Sequence, residues 1–286
     1  MCVLLVRLIV DSMKNDPILI VGGAGKTGRR VDARLRQRGF ATRLASRSTT
    51  VPFDWAAPAG WAAALEGAAK AYVTYHPDVS VPTAAGDIAA LSELAVKAGL
   101  QQIVLLSGRG EPGAQAAEAA LQASGVPWTI VRASWFSQNF SEGYLVDGVL
   151  SGAIALPARE VPEPFVDVDD IADVVTAALT DARHIGKVYE VTGPRAITFS
   201  QAVAEISKAV GRQIRYTQIS GADFAEGMRG AGVPDDIIHL LDELFTVTLD
   251  GRNREVQSGV MEALGRPPRD FADFARDAAA ANAWRM

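Results

Sequence analysis

The run Ile18-Leu-Ile-Val-Gly-Gly-Ala-Gly-Lys-Thr-Gly28 leaves few folds open to this chain. Its four apolar residues read as a short strand buried on both faces, as found inside parallel sheets. Glycines then open a helix that begins near Lys26. They are spaced both as Gly-x-Gly-x-x-Gly (Gly23, Gly25, Gly28) and as Gly-x-x-Gly-x-x-Gly (Gly22, Gly25, Gly28). In a dinucleotide site one such glycine makes the tight turn, one lets backbone approach a pyrophosphate, and one lets the helix pack close to the strand. The helix N-terminus offers N–H groups and a positive dipole end to the phosphates. The candidate cofactor set here is Gly22, Gly23, Gly25, Lys26, Thr27 and Gly28. An ordinary strand–turn–helix connection is the bland alternative, and the flanking strand and helix weigh against it. Gly25-Lys26-Thr27 also matches the tail of a triphosphate loop, but that motif needs glycine at position 20, which is Ile. A kinase or ATPase is excluded.

The amphipathic helix Lys26–Arg38 carries Val31 and Leu35 on one face and is closed by Gly39. A second strand, Ala41–Ala45, ends in Ser46-Arg47-Ser48, about nineteen residues past the last glycine. A dinucleotide fold places its ribose-reading residue there, an acid for the 2′-hydroxyl of NAD or an arginine for the 2′-phosphate of NADP. Arg47, flanked by Ser46 and Ser48, points to NADP(H) in preference to NAD(H). The alternative is a solvated arginine at a strand end. Asp54 is equally a contact for the adenine edge or a turn residue.

Strands and helices continue to alternate: helix Trp61–Ala68, strand Ala71–Tyr75, helix Thr83–Ala98, strand Gln102–Leu106, helix Ala114–Ala123 and strand Trp128–Val131. That order is the mark of an α/β fold with a doubly wound parallel sheet. Ligands of such sheets bind at the carboxyl ends of the strands. Tyr75-His76-Pro77 and Ser107-Gly108-Arg109 lie at such ends. Tyr75 and Ser107 are therefore candidates both for the cofactor and, with His76, for catalysis.

The segment Arg132-Ala-Ser-Trp-Phe-Ser-Gln-Asn-Phe140 crowds aromatics and amides into a loop after a strand. Such loops face ligands more often than they serve structure. Asn139 joins the catalytic candidates. Arg109, Trp135, Phe136, Asn139 and Tyr144 form the candidate substrate pocket, although Trp135, Phe136 and Phe140 could instead plug a core. Pro164–Asp173 reads as a strand leading into a helix that runs to Thr180, and its acids read as capping charges rather than a metal cluster. Beyond it come strand Lys187–Thr192, helix Thr198–Val210, strand Ile214–Gln218, and helices over about 221–230, 234–248 and 269–283.

With 286 residues, 49% of them hydrophobic and 21% charged, the chain suits one large domain or a domain with a smaller lobe. A net charge of −5 gives no reason to expect nucleic acid as a partner. The single cysteine, Cys2, and the scattered His76, His184 and His239 leave no disulfide and no metal site to expect. The apolar run Cys2–Val10 is too short to span a bilayer and lacks a cleavage site, so residues 1–16 are expected to be a disordered extension, with Met13 as the natural start. No other stretch approaches a membrane span, and a cytoplasmic protein is expected.

Taken together, Gly-Gly-Ala-Gly-Lys-Thr-Gly (22–28), Ala-Ser-Arg-Ser (45–48), Ile-Val-Leu-Leu-Ser (103–107), the 132–140 segment and Pro-Phe-Val-Asp-Val-Asp-Asp-Ile-Ala (164–172) resemble the NmrA-like family of atypical short-chain dehydrogenases/reductases. The chain looks closest to a bacterial branch similar to the agroclavine and festuclavine dehydrogenases of ergot-alkaloid synthesis. The resemblance implies a Rossmann NAD(P)-binding domain over 17–150. It also implies a mixed region, 151–286, that completes the sheet and forms a small, mostly helical substrate lobe.

One departure matters. The Tyr-x-x-x-Lys proton donor of most short-chain dehydrogenases is missing: Tyr72, Tyr75, Tyr144, Tyr189 and Tyr216 are followed at that spacing by His, Val, Gly, Gly and Ser. Two functions fit. One is an NADP-dependent oxidoreductase acting on a planar, already polarised acceptor (iminium, quinone or enone), with Tyr144 or His76 giving a proton to the product if water does not. The other is an NADP(H) sensor of NmrA type that controls a protein partner without turnover. A structural dinucleotide beside non-redox chemistry is a lesser variant. A homodimer is compatible with all three.

Overall fold

The computed structural model describes residues 16–285, so the expectation for residues 1–15 lies outside the described residues. Among the described residues nine strands are present: β1 (Ile18–Val21), β2 (Thr42–Ser46), β3 (Val51–Pro52), β4 (Lys70–Val73), β5 (Ile103–Gly108), β6 (Trp128–Ala133), β7 (Ala153–Leu156), β8 (Val188–Val191) and β9 (Arg215–Gln218). Seven of them form one sheet in the order β3-β2-β1-β4-β5-β6-β8, and β7 pairs with β9 in a separate parallel ribbon. β1 runs parallel to both β2 and β4, with Ile20 opposite Leu44 on one side and Tyr72 on the other.

The chain therefore builds outward from β1 in one direction, returns beside β1 as β4, and builds outward in the other. This reversal is the topological switch point of a doubly wound sheet, where the strand ends part and leave a crevice. The four residues of β1 are all buried, as a central strand covered on both faces requires.

The helices between the strands are α1 (Lys26–Gln37), α2 (Trp61–Leu65), α3 (Ala84–Lys97) and α4 (Pro112–Ala123). They are followed by α5 (Asn139–Glu142), α6 (Val146–Ser151), α7 (Val168–Thr180), α8 (Phe199–Val210), α9 (Gly221–Gly230), α10 (Asp235–Glu243), α11 (Gly259–Leu264) and α12 (Phe271–Ala280).

The chain forms two compact units. Among the described residues, the first takes 16–132, 171–189 and 262–264; its aliphatic core runs from Leu19 and Val21 through Val73, Ile88, Leu91 and Leu105 to Ile130. The second takes residues 133–170, 190–261 and 265–285, and its core is aromatic. There Phe140 meets Phe165, Phe199 and Phe271 at ring distances of 5.7–6.1 Å, and Trp284 donates to the Phe140 carbonyl at 2.8 Å. Residues 133–150 thus belong with the second unit, and residues 171–189 with the first.

Several elements depart from the sequence reading, three of them with a clear cause or consequence. No regular strand forms at Pro164. Only single bridges, Phe136 to Val166 and Glu163 to Ile197, occur there, because Pro162 and Pro164 remove two of the N–H groups a ladder needs. The expected 234–248 helix ends as α10 at Glu243 and passes into a π-helical turn, Leu244–Thr248, which keeps Phe245 buried and closes with Leu249 N–H on the Leu244 carbonyl at 3.0 Å. β7, not anticipated, pairs with β9 across some sixty intervening residues. Among the described residues no helix is long and apolar enough to cross a membrane.

Candidate functional site

The glycine turn shows why each glycine is there. Gly22 adopts φ +77°, a conformation that side chains disfavour, and a Cβ on it would fall 2.0 Å from Thr74 Oγ1. A Cβ on Gly28 would fall 2.3 Å from the Gly22 carbonyl oxygen and 2.9 Å from Gly23 Cα. Gly22 and Gly28 are therefore demanded by the fold itself. Gly25 differs. Its added Cβ would meet one atom, the Gly22 carbonyl oxygen, at 3.1 Å. Its own N–H closes the turn on that same oxygen at 2.8 Å, and it caps α1 with no side chain. The first turn of α1 holds no acid, which suits the approach of an anion to the positive end of the helix.

This turn floors a cleft of about 350 Å³ at the switch point. Gly22, Ala24 and Gly25 form its base, the end of β2 (Ser46, Arg47, Ser48) one side, and the end of β4 (Thr74, Tyr75, His76) the other. Asp54 and Trp55 add a further wall. At the β2 end the Ser46 and Ser48 hydroxyls stand 3.3 Å apart, and Arg47 Nη2 reaches across to His76 Nε2 at 3.4 Å. Thr49 Oγ1, accepting the Ser46 N–H at 2.7 Å, holds this strand end in shape. A guanidinium with two hydroxyls, and no carboxylate on the strand end, matches a phosphate rather than a ribose diol. Asp54 takes the turn role, accepting the Ala56 N–H at 3.1 Å, while also lining the cleft.

Sequence reasoning missed Trp55. Its ring lies 4.5 Å from Tyr75, 5.0 Å from Phe53 and 5.2 Å from Trp61, and its indole N–H donates to the Thr74 carbonyl at 3.2 Å. Its place beside Asp54 in the same loop was the signal that could have found it.

The proton-donor candidates are more constrained than their positions suggested. The Tyr75 hydroxyl donates to Asp87 at 2.5 Å and lies 3.1 Å from Thr83 Oγ1. Burial, reinforced by Asp87, pushes its pKa up to about 12. The Ser107 hydroxyl donates to buried Glu118 at 2.5 Å, and Arg132 grips the same carboxylate with Nε at 2.8 and 2.9 Å and Nη2 at 2.5 Å. Ser107 does not line the cleft, nor do Gly23, Lys26, Thr27 and Gly28; Thr27 and Arg109 are buried.

In the second unit, Trp135 is half-buried against Phe199 (5.1 Å) and Phe245 (4.9 Å), and Phe140 is core. Phe136 holds Val166 through backbone pairing, Asn139 begins α5, and exposed Tyr144 lies 6.3 Å from Phe245. The acids of 167–173 each have a partner of their own. Asp167 Oδ1 accepts from the Asp169 N–H (2.7 Å) and from Gln138 (2.8 Å), and burial raises its pKa. Asp170 pairs with Arg266 at 2.7 Å and accepts the Arg269 N–H at 2.7 Å; Asp173 takes Arg34 at 2.5 Å. Among the described residues no group of His, Cys, Asp and Glu could hold a metal.

A doubly wound sheet whose glycine turn opens on the switch point is a Rossmann-type fold. Residues 115–275 match the model of the NmrA-like family, and the chain belongs to that family. It is similar to the NAD(P)H azoreductase of Xenophilus azovorans, 31% identical over 285 residues, covering 92% of this chain and 98% of that one. It is also similar to the prestalk A differentiation protein A of Dictyostelium discoideum, 30% identical over 278 residues and 91% of each chain. Among solved structures, the NADPH-dependent quinone oxidoreductase of Escherichia coli complexed with NADPH superposes with a TM-score of 0.76 at 24% identity, covering 91% of this chain and 99% of that one.

Proposed function

We propose that the protein is an NADP(H)-dependent oxidoreductase of the cytoplasm that reduces a planar, already polarised acceptor of iminium, quinone or enone type. The observation that carries this reading is the cleft itself. It joins a turn open only at Gly25 to a strand end bearing Arg47, Ser46 and Ser48. The fit to a dinucleotide is steric at the turn and chemical at the strand end. The Gly22–Gly25 turn and the start of α1 would hold the pyrophosphate, Arg47 with the serines the 2′-phosphate, and Asp54 and Trp55 the adenine side. When bound, the reduced nicotinamide supplies the two electrons as hydride. The azoreductase relative supports a reductase at the level of the family.

The chain's own contribution is positioning and exclusion of water. Tyr75 keeps its proton and donates it in a hydrogen bond to Asp87, and Ser107 is spent on Glu118. Neither is left to protonate an alkoxide, which favours an acceptor whose reduced form can take its proton from water. The aromatic segment from Trp135 to Tyr144, with Asn139, is assigned to the acceptor.

The same commitment of Tyr75 and Ser107 favours one second reading, an NADP(H)-binding regulator without turnover. NADPH oxidation against quinones, iminium compounds and enones, alongside NADPH and NADH titrations, separates the two. Acceptor-dependent oxidation supports the reductase. Tight binding with no oxidation across the panel refutes it in favour of the regulator, and no binding refutes both.

A further inference from the structure

We propose that His76 is a second ligand for the 2′-phosphate of NADP(H), acting with Arg47, and that the preference for NADPH over NADH therefore strengthens as pH falls. The proposal rests on the dinucleotide reading above and gives His76 a specificity role in place of the catalytic one expected from its position.

The placement follows from the sheet. β2 and β4 flank β1, so the residues that follow them face each other over the glycine turn. Arg47 and His76 are 29 positions apart in sequence, yet Nη2 and Nε2 stand 3.4 Å apart, both on exposed side chains. A guanidinium has only N–H groups to offer, so in this pairing Nε2 is the acceptor and carries no proton. The pair closes one mouth of the cleft beside the Ser46 and Ser48 hydroxyls.

The acids on every neighbouring element are engaged elsewhere. Asp54 accepts from the Ala56 N–H, Asp78 from the Ser80 N–H at 2.8 Å, and Asp87 on α3 from the Tyr75 hydroxyl. Among the described residues the positive end of the mouth is therefore not neutralised by a carboxylate bonded to Arg47 or His76.

A phosphate monoester brings oxygens that accept from both side chains and relieve Arg47 of its contact with Nε2. An imidazole serves such a ligand only as a donor, so it binds the phosphate best when protonated. Binding NADPH then takes up a proton at Nε2. The phosphate favours the protonated imidazole, so the added affinity grows as pH falls. NADH carries no 2′-phosphate and triggers no such uptake.

The test is calorimetric titration of NADPH and NADH at about pH 6 and about pH 8, each in two buffers of different ionisation enthalpy, with wild type and His76→Gln. In the wild type the NADPH/NADH affinity ratio should be about tenfold larger at the lower pH, with protons taken up on NADPH binding alone. His76→Gln should lower that ratio about tenfold at the lower pH and abolish its rise on acidification. The same ratio and the same proton uptake in both proteins would overturn the proposal while leaving the dinucleotide site standing. Equal losses for NADPH and NADH would overturn it too, since a residue reading the 2′-phosphate must discriminate. Failure of the wild type to bind either nucleotide would instead refute the dinucleotide reading beneath it.

Discussion

Replacing Gly25 and Gly28 separately by alanine should divide binding from folding. At Gly28 the new methyl would sit 2.3 Å from the Gly22 oxygen and 2.9 Å from both Gly22 C and Gly23 Cα. All three are backbone atoms that cannot rotate aside, so α1 must move away from the turn. Overpacking of this kind costs about 3 kcal/mol at the upper end of its range. Alanine returns about 1 kcal/mol through its better helix propensity. A net loss near 2 kcal/mol lowers the melting temperature by roughly 4–8 °C in a chain of this size.

At Gly25 the backbone, at φ −75° and ψ 174°, is open to alanine, and the methyl meets only the Gly22 oxygen at 3.1 Å. A shift of a few tenths of an ångström accommodates it, and the weaker N-cap costs about 1 kcal/mol or less. The methyl stands where a pyrophosphate would take N–H groups from the turn. Losing two charge-assisted hydrogen bonds costs about 3 kcal/mol or more, which is roughly a hundredfold in Kd. Thermal melts and fluorescence titrations of NADPH on both variants check the pair. Unchanged affinity in Gly25→Ala, or an unchanged melt in Gly28→Ala, would refute the division of roles.

Arg47→Asp should weaken NADPH about 10–100-fold and leave NADH the preferred partner; titration with both nucleotides decides, and an unaltered preference would remove the 2′-phosphate role. His184 is buried, its Nδ1 2.7 Å from the Tyr189 hydroxyl and its Nε2 accepting from Arg183 at 3.3 Å, and burial with help from Arg183 lowers its pKa. A depressed folded-state histidine pKa means stability that is full above the unfolded value of about 6.5 and lost as pH falls through the lower value. The urea midpoint of the wild type should therefore drop more steeply below about pH 6.5 than that of His184→Gln, and parallel curves would count against the account. Asp170→Ala leaves Arg266 and the Arg269 N–H without their buried acceptor and should cost about 3 kcal/mol in urea unfolding.

What the sequence disclosed was what the backbone itself dictates. β1 is a continuous apolar run because both its faces are covered, and the glycines are visible because no other residue fits Gly22 and Gly28. The place of Arg47 on the cleft was legible because the spacing from the last glycine is set by one helix and one turn. Side-chain direction was not. Tyr75 stands at the expected strand end, yet its phenol is turned to Asp87, a partner on the following helix that no spacing rule selects. The wall around Trp55 draws on Phe53, Trp61 and Tyr75, which only the folded loop brings together. The buried set Ser107–Glu118–Arg132 spans a strand, a helix and the next strand. The β7–β9 ribbon escaped notice because Ala153–Leu156 is only half apolar outside its context, alternating exposed and buried.

These hidden contacts narrow the chemistry more than the visible motif does. Reducing a plain ketone leaves an alkoxide, which needs a positioned acid poised near the working pH. The Tyr75 hydroxyl, held at a pKa of about 12 and donating to a carboxylate, is a poor acid, and its proton already has an acceptor. Ser107 donates to a carboxylate gripped by Arg132, so moving its proton would disturb a buried ion pair. An iminium is reduced to an amine with no proton required at the reacting carbon. A quinone yields a stabilised oxyanion that bulk water can protonate. On the proposed reading, the hydrogen bonds that tie up Tyr75 and Ser107 favour acceptors by the acidity of what reduction leaves behind.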